Sequence, residues 1–241
     1  MQLMNEVIKI YSYQFEQMLS EGEFQTLCRQ LPNTSQFKIS QYRRWQDKYA
    51  ALFGRLLLKI ALIAEGYPLW CLENLKFDSY NRPFIDSKVD FNISHSGSYV
   101  LCAITKKGRI GIDIEYIRNI NTHDFKHFLT NEEWLDVTRA SDPIRRFYHH
   151  WTVKESTMKA DGRGLNIPPQ SIISYLNFAV IDNKKWGLKK IDFEVDHYSC
   201  HLAFERYEAF LLHSVTRNRI YHNLGNNMLY PISIIEIKNG V

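Results

Sequence analysis

A strict alternation of apolar and polar positions marks one short segment of the chain: Ile110, Gly111, Ile112, Asp113, Ile114 and Glu115. A period of two predicts a β-strand. Because successive side chains leave a strand on opposite faces, the isoleucines would be buried and both acids would share the other face. Gly111 lies on the acid face, where the absence of a side chain would let a ligand approach closely.

Helical spacing predicts two long helices. Between residues 40 and 65, large apolar side chains recur every three or four positions: Tyr42, Trp45, Tyr49, Leu52, Phe53, Leu56 and Ile60. A second helix is predicted over 143–160, after a shorter one over 131–139, and Gly162 would end it as a C-cap. Within the second helix Trp151, Glu155 and Lys159 stand four apart, which places them on one stripe.

Short strands separated by turns fill most of the remaining chain. They are predicted at 7–13, 75–78, 89–94, 99–105, 110–116, 191–195, 197–204 and 207–215, with a late strand at 230–237. A helical portion followed by antiparallel strands therefore occurs twice, which predicts an α+β fold of two halves. The expected halves are 1–110 and 111–241, with a C-terminal extension of the second half from about residue 217.

Composition narrows the class of protein without identifying it. The 241 residues are 45% hydrophobic and 14% aromatic, with a formal net charge of +4 and no run of five basic residues, so nucleic acid is not an expected partner. The four cysteines are widely spaced, which favours reduced thiols over a zinc site. The N-terminus lacks a signal-peptide pattern, and the apolar stretch 56–69 is too short to span a membrane. We expect a cytoplasmic protein without membrane contact.

The two acidic segments could form a site for a hard cation. Asp113 and Glu115 offer the oxygen ligands that Mg²⁺ prefers, and Glu155 could complete the set while Lys159 neutralises phosphate oxygens. Each segment also has a plain structural explanation. The strand face could be solvated, and Glu155 with Lys159 could be an ordinary ion pair between positions i and i+4. Lys154 could belong to the cationic group or face solvent.

Other polar residues could bind phosphate. Ser94 and His95 lie at the end of a predicted strand, just before Gly97, and both side chains can hydrogen-bond to an anion. Several basic residues precede them, and each could equally be a solvated surface residue: Lys38, Arg43, Arg44 and Arg82.

Taken together and in order, these motifs resemble those of the 4′-phosphopantetheinyl transferase superfamily, in particular its larger broad-specificity members. The motifs are Asn81-Arg82-Pro83, Phe91-Asn92-Ile93-Ser94-His95-Ser96, Gly111-Ile112-Asp113-Ile114-Glu115 and Trp151-x-x-Lys154-Glu155-Ser156-x-x-Lys159-x-x-Gly162-x-Gly164-Leu165. The resemblance covers nearly the whole chain. It implies a pseudo-dimer within one chain, in which each half is a long helix packed on a small, mainly antiparallel sheet.

The resemblance also implies a reaction: transfer of the phosphopantetheine arm of coenzyme A to a serine of an acyl or peptidyl carrier protein, with release of adenosine 3′,5′-bisphosphate. Such carriers serve fatty acid, polyketide or nonribosomal peptide synthesis. The implied roles are Mg²⁺ binding by Asp113, Glu115 and Glu155, base catalysis by Glu155, and contact with the leaving phosphate by Lys159. Coenzyme A binding in the first half would use Lys38, Arg82, Ser94 and His95. The resemblance further implies a monomer.

One departure from the family concerns the long helix of the first half. The family often has a basic residue and a threonine where this chain reads Ala50-Ala51. Arg43 or Arg44 could compensate. Two other functions share some of the same residues, namely a different Mg²⁺-dependent nucleotide phosphotransferase or phosphodiesterase, and a non-catalytic binder of coenzyme A or carrier domains.

Overall fold

The computed structural model describes residues 7–193, 196–206, 209–215 and 234–235. The chain divides into two compact units. Unit 1 comprises residues 1–78, 83–106 and 208–241, and unit 2 comprises residues 79–82 and 107–207. Among the described residues, no helix is both long and apolar enough to cross a membrane.

The elements follow one another in two stretches. Up to residue 116 they are β1 (Val7–Gln14), α1 (Glu21–Cys28), α2 (Asn33–Ser40), α3 (Trp45–Ala64), β2 (Lys76–Phe77), β3 (Pro83–Phe84), β4 (Asp90–Ser96), β5 (Tyr99–Thr105) and β6 (Ile110–Tyr116). Beyond it they are α4 (Asn131–Arg139), α5 (Pro143–Asp161), β7 (Ile173–Ser174), β8 (Phe178–Ile181), β9 (Lys184–Lys190), β10 (Tyr198–Phe204), β11 (Ala209–Ser214) and β12 (Ile234–Ile235).

Unit 1 is a five-stranded sheet covered by α3. The strand order is β12-β11-β1-β5-β4, in which β1 runs parallel to β11 and antiparallel to β5. The helix buries an apolar face against the sheet, as its spacing predicts: Leu52, Phe53, Leu56, Leu57 and Ile60. Gly54 allows a close approach to β4, since a Cβ there would stand 3.1 Å from Ile93.

Unit 2 is a second five-stranded sheet, of order β6-β10-β9-β8-β7, in which every pairing is antiparallel. Helix α5 packs on β6 and β10. Its start is specified locally, because the Asp142 side chain accepts a hydrogen bond from the Arg145 amide and Pro143 occupies the first turn. Its end is specified by Gly162, which adopts a φ of +97° and confirms the predicted C-cap.

The α+β class is confirmed, and each unit pairs one long helix with a mainly antiparallel sheet. The long helix of unit 1 is shorter than predicted, because it begins at Trp45 after Arg44 takes an extended conformation, and residues 33–40 form the separate helix α2. The strand predicted at 191–195 is wrong for residues 191–193. The two strands that precede this segment are β8 and β9; the sequence of β9 is rich in lysine, although its Trp186 is buried.

The division into units differs from the predicted ranges 1–110 and 111–241. Strand β11, expected in the second half, pairs with β1 in the sheet of unit 1, and β12 extends the same sheet. Residues 79–82, in contrast, join unit 2. An alternating pattern identifies a strand but carries no information about which sheet it will enter. Apart from β12, the predicted extension from residue 217 lies outside the described residues.

Candidate functional site

Strand β6 turns its acidic face toward helix α5. A Cβ placed on Gly111 would stand 2.1 Å from the Ser156 carbonyl oxygen and 2.3 Å from the Ala160 amide nitrogen. The missing side chain of Gly111 therefore makes room for the backbone of α5. The expectation that a ligand would occupy this space is wrong. Because Asp113 and Glu115 share this face by alternation, the close contact holds both acids beside the helix.

Asp113 meets Lys159 across this interface within unit 2. The Lys159 Nζ atom donates to Asp113 Oδ1 at 2.6 Å, and Asp113 is only 3% exposed. Burial by itself would lower the pKa of Lys159, but Asp113, Glu155 and Glu115 outweigh it and raise that pKa. The lysine therefore stays protonated, and its positive charge lies beside the carboxylates of Asp113, Glu115 and Glu155.

Glu155 faces the same cluster. The predicted stripe is confirmed, since Trp151, Glu155 and Lys159 are the partly exposed positions of α5 between residues 151 and 160, and the positions between them are buried. Burial raises the pKa of Glu155, Lys159 opposes that rise, and the charges of Asp113 and Glu115 add to it. Asp113 and Glu115 are thus near enough to Glu155 for their charges to repel it.

The arrangement is not a closed metal cage. Within the part of the chain that the structure describes, no group of three or more His, Cys, Asp or Glu side chains is arranged to hold a metal ion. Asp113, Glu115 and Glu155 are nevertheless the hard oxygen donors that Mg²⁺ prefers, and Mg²⁺ usually completes its shell with water and substrate phosphates. The chemistry of the donor atoms fits that ion, although the three side chains are not arranged around one point.

Arg82, which the resemblance implies as a coenzyme A ligand, is hydrogen-bonded to the backbone of unit 2. It is 6% exposed, and its guanidinium donates hydrogen bonds to the carbonyl oxygens of Lys159 and, at 3.0 Å, Ile110. These carbonyls belong to the last turn of α5 and the first residue of β6. Arg82 therefore links β6, which carries two of the acids, to α5, which carries Glu155 and Lys159. No local pattern in the sequence indicates this link.

Replacement of Arg82 by methionine is expected to lower kcat by about 10-fold or more and to change the KM for coenzyme A by less than about 3-fold. The reason is that the methionine leaves two carbonyls without their donor and loosens the position of Lys159. Steady-state kinetics will separate the two parameters, with Arg139→Met, at an exposed position of α4, as the matched control. A raised KM for coenzyme A with an unchanged kcat would instead show that Arg82 binds coenzyme A directly.

Lys154 is a structural residue of unit 2, contrary to both expectations for it. Its ammonium is completely buried and donates to the carbonyl oxygens of Pro169 and Ile172, at 2.8 and 2.9 Å, and to Glu133 Oε2 at 2.8 Å. Burial lowers the pKa of Lys154, although Glu133 opposes the shift. Glu133 lies 21 positions earlier in the chain, so the sequence pattern around Lys154 could not reveal it.

In unit 1 the structure brings together some of the predicted coenzyme A ligands. Lys38 and His95 line a cavity of about 290 Å³ together with Ala50 and Ala51. Ser94, the neighbour of His95 on β4, is 5% exposed and is not among the lining residues, as expected from the alternation of side chains along a strand. The cavity also contains Arg55, which the sequence analysis missed.

Two family profiles match the sequence in succession. The profile described as the 4′-phosphopantetheinyl transferase superfamily matches residues 109–217. The profile described as the N-terminal part of 4′-phosphopantetheinyl transferase matches residues 18–107. The first match contains β6 and α5, and the second contains the cavity residues Lys38, Arg55 and His95.

The names of several curated relatives also describe phosphopantetheinyl transferases. The 4′-phosphopantetheinyl transferase gsp of Aneurinibacillus migulanus is 35% identical over 153 residues, which cover 61% of this chain and 63% of that protein. The 4′-phosphopantetheinyl transferase Sfp of Bacillus subtilis strain 168 is 32% identical over 171 residues, or 68% of this chain and 75% of that protein. The L-aminoadipate-semialdehyde dehydrogenase-phosphopantetheinyl transferase of Rattus norvegicus is 30% identical over 64% of this chain and 55% of its own length.

Proposed function

The chain belongs to the 4′-phosphopantetheinyl transferase superfamily, whose members move the phosphopantetheine arm of coenzyme A to a carrier-protein serine, and we propose that it performs this transfer with the acids of β6 and α5. The acceptor is an acyl or peptidyl carrier protein, and the second product is adenosine 3′,5′-bisphosphate. The observation that carries the proposal is the contact of Lys159 with Asp113 beside Glu155 and Glu115.

Asp113, Glu115 and Glu155 are proposed to hold Mg²⁺. Such an ion would supply charge neutralisation on the pyrophosphate as the phosphorus–oxygen bond breaks. Burial is the main cause of the raised pKa of Glu155, and the charges of Asp113 and Glu115 add to the rise; their repulsion of Glu155 supports this role, because a divalent cation relieves it. Their fixed position on a strand and a long helix pre-organises the oxygens.

Lys159 is proposed to act on the leaving group. Its ammonium is held by Asp113 Oδ1 at 2.6 Å and remains protonated, so it can bind the phosphate oxygen that gains charge. The Arg82 guanidinium fixes the carbonyl of the same residue. Lys159 is therefore held at its backbone and at its side chain within unit 2.

Glu155 is proposed to act as the base. The carrier serine Oγ forms a new bond to the phosphorus that bears pantetheine, and the bond from that phosphorus to the bridging oxygen breaks. A Glu155 carboxylate oxygen accepts the serine proton. Burial raises the pKa of Glu155, which favours proton acceptance, and Mg²⁺ bound to the same carboxylate would oppose that rise.

The proposal is tested by incubating the protein with coenzyme A, Mg²⁺ and an apo carrier protein, followed by intact-mass spectrometry of the carrier. We expect a mass gain of one phosphopantetheine, equimolar release of adenosine 3′,5′-bisphosphate, loss of both with EDTA and recovery with added Mg²⁺. Cleavage of coenzyme A without a change in carrier mass would instead indicate a phosphodiesterase. Binding of coenzyme A without either product would indicate a non-catalytic binder.

A further inference from the structure

Helix α5 carries a fully buried threonine, Thr152, on the turn that precedes Glu155. The Thr152 hydroxyl oxygen lies 2.9 Å from Ser199 Oγ and 2.7 Å from His201 Nδ1. Both partners are buried residues of β10. Side-chain hydrogen bonds therefore connect α5 to β10 at a point that solvent does not reach.

The hydroxyl of Thr152 uses its full hydrogen-bonding capacity, which is one proton and two lone pairs. Because carbonyl oxygens can only accept, the proton is shared between those of Tyr148 and His149, at 2.8 and 3.2 Å. The lone pairs then accept from the Ser199 hydroxyl and from the Nδ1–H of His201. A nonpolar side chain at position 152 would deprive two buried donors of β10 of this acceptor.

The two partners of Thr152 stand directly opposite the acids of β6. In the antiparallel pairing of β6 with β10, Ser199 is opposite Glu115 and His201 is opposite Asp113. Opposite residues of an antiparallel pair place their side chains on the same face of the sheet. The contact of Thr152 with β10 therefore lies level with the two acids and on their side of the sheet.

Glu155 lies between two attachments of α5 to this sheet. On its C-terminal side, the backbone of residues 156–160 packs closely on Gly111 of β6. On its N-terminal side, the Thr152 hydroxyl is hydrogen-bonded to β10. The second attachment fixes the turn of the helix from which Glu155 extends toward the acids.

We propose that Thr152 is a positioning residue, whose hydrogen bonds to β10 hold Glu155 in place beside the acids of β6. The proposal rests on the proposed function, in which Glu155 is a base and a Mg²⁺ ligand. Thr152 itself is buried beneath the helix and touches neither substrate nor metal. Its effect on the reaction is transmitted through the position of Glu155.

The chain offers a closely matched control in Thr157. This residue is also fully buried on α5, and its hydroxyl donates to the Val153 carbonyl oxygen at 2.6 Å. Among the described residues, that hydroxyl has no partner outside its own helix. Replacement of either threonine by valine removes one buried hydroxyl from the same helix, but only Thr152→Val breaks a connection to β10.

The experiment measures kcat and the KM for coenzyme A in the wild type, Thr152→Val, Thr152→Ser and Thr157→Val. We expect Thr152→Val to lower kcat by about 10-fold or more, with a change in KM below about 3-fold. Thr152→Ser keeps the hydroxyl and should stay within about 3-fold of the wild-type kcat, as should Thr157→Val. Melting temperatures identify any variant that fails to fold. A folded Thr152→Val protein with the kcat of Thr157→Val would overturn the inference.

A binding measurement separates this inference from the proposed function. Titration with Mn²⁺ in the presence of coenzyme A, without a carrier, requires no turnover. We expect Thr152→Val to bind Mn²⁺ about 10-fold more weakly than Thr157→Val, because Glu155 is displaced from the other acids. If the wild type modified no carrier but this difference remained, the proposed function would fail and the inference would stand. Equal Mn²⁺ binding by the two variants would refute the inference, whether or not the wild type modifies a carrier.

Discussion

Replacement of Asp113 by asparagine is expected to lower kcat for carrier modification by about 100-fold to 1,000-fold. The substitution retains the shape of the side chain and removes its charge. Asp113 is buried and holds the Lys159 ammonium at 2.6 Å, so the variant loses the partner of that lysine and one proposed Mg²⁺ ligand together. Initial rates at saturating coenzyme A and carrier, at several Mg²⁺ concentrations, will measure the effect.

The matched control is Asp192→Asn. Asp192 also forms an ion pair with a lysine, at 2.6 Å from Lys190, but its side chain is 74% exposed. A surface pair of this kind contributes little, so the rate should stay near that of the wild type. The assignment of Asp113 would be wrong if the folded Asp113→Asn protein kept its rate, or lost it only through weaker binding of the carrier.

Replacement of Gly111 by alanine is expected to destabilise the protein by about 1 to 3 kcal/mol and to reduce activity at the same time. The added Cβ would stand 2.1 Å from the Ser156 carbonyl oxygen and 2.3 Å from the Ala160 amide nitrogen, and both atoms belong to helix backbone. Because the backbone of α5 cannot yield as a flexible side chain can, the helix must move away from β6. Glu155 and Lys159 then move away from Asp113.

Urea unfolding and steady-state kinetics of the same preparation will test this prediction, with Gly22→Ala as the control. Gly22 lies in the first turn of α1, and nothing stands within 4 Å of a Cβ placed there. Alanine at that position should be neutral or slightly stabilising, since glycine is a poor helix former. Wild-type stability and activity in Gly111→Ala would show that β6 and α5 do not pack as described.

Local periodicity accounts for the features that the sequence predicted well. The alternation in 110–116 defines β6, and the spacing of Trp151, Glu155 and Lys159 defines the partly exposed stripe of α5, because both patterns depend only on neighbours along the chain. Gly162 shows the same principle, since a helix C-cap is a local conformation.

Features that depend on distant residues could not be predicted. The partner of Gly111 is the backbone of a helix that begins more than thirty positions later, and the guanidinium of Arg82 reaches carbonyls on two other elements. The residues next to Lys154 allow it a place in the cationic group or on the surface, whereas its buried partner is Glu133. Arg55 belonged to no motif, and only the packing of α2, α3 and β4 shows that it shares a cavity with Lys38 and His95.

The most direct test of the central claim, that the acids of β6 and α5 hold a divalent cation, is a titration with Mn²⁺, an oxygen-preferring substitute for Mg²⁺. Electron paramagnetic resonance of free Mn²⁺ would be recorded with coenzyme A alone, with the wild type, with Asp113→Asn and with Asp192→Asn. We predict that the wild type and Asp192→Asn remove free Mn²⁺ beyond the amount bound by coenzyme A, and that Asp113→Asn does not. Equal binding by Asp113→Asn and the wild type would contradict the claim.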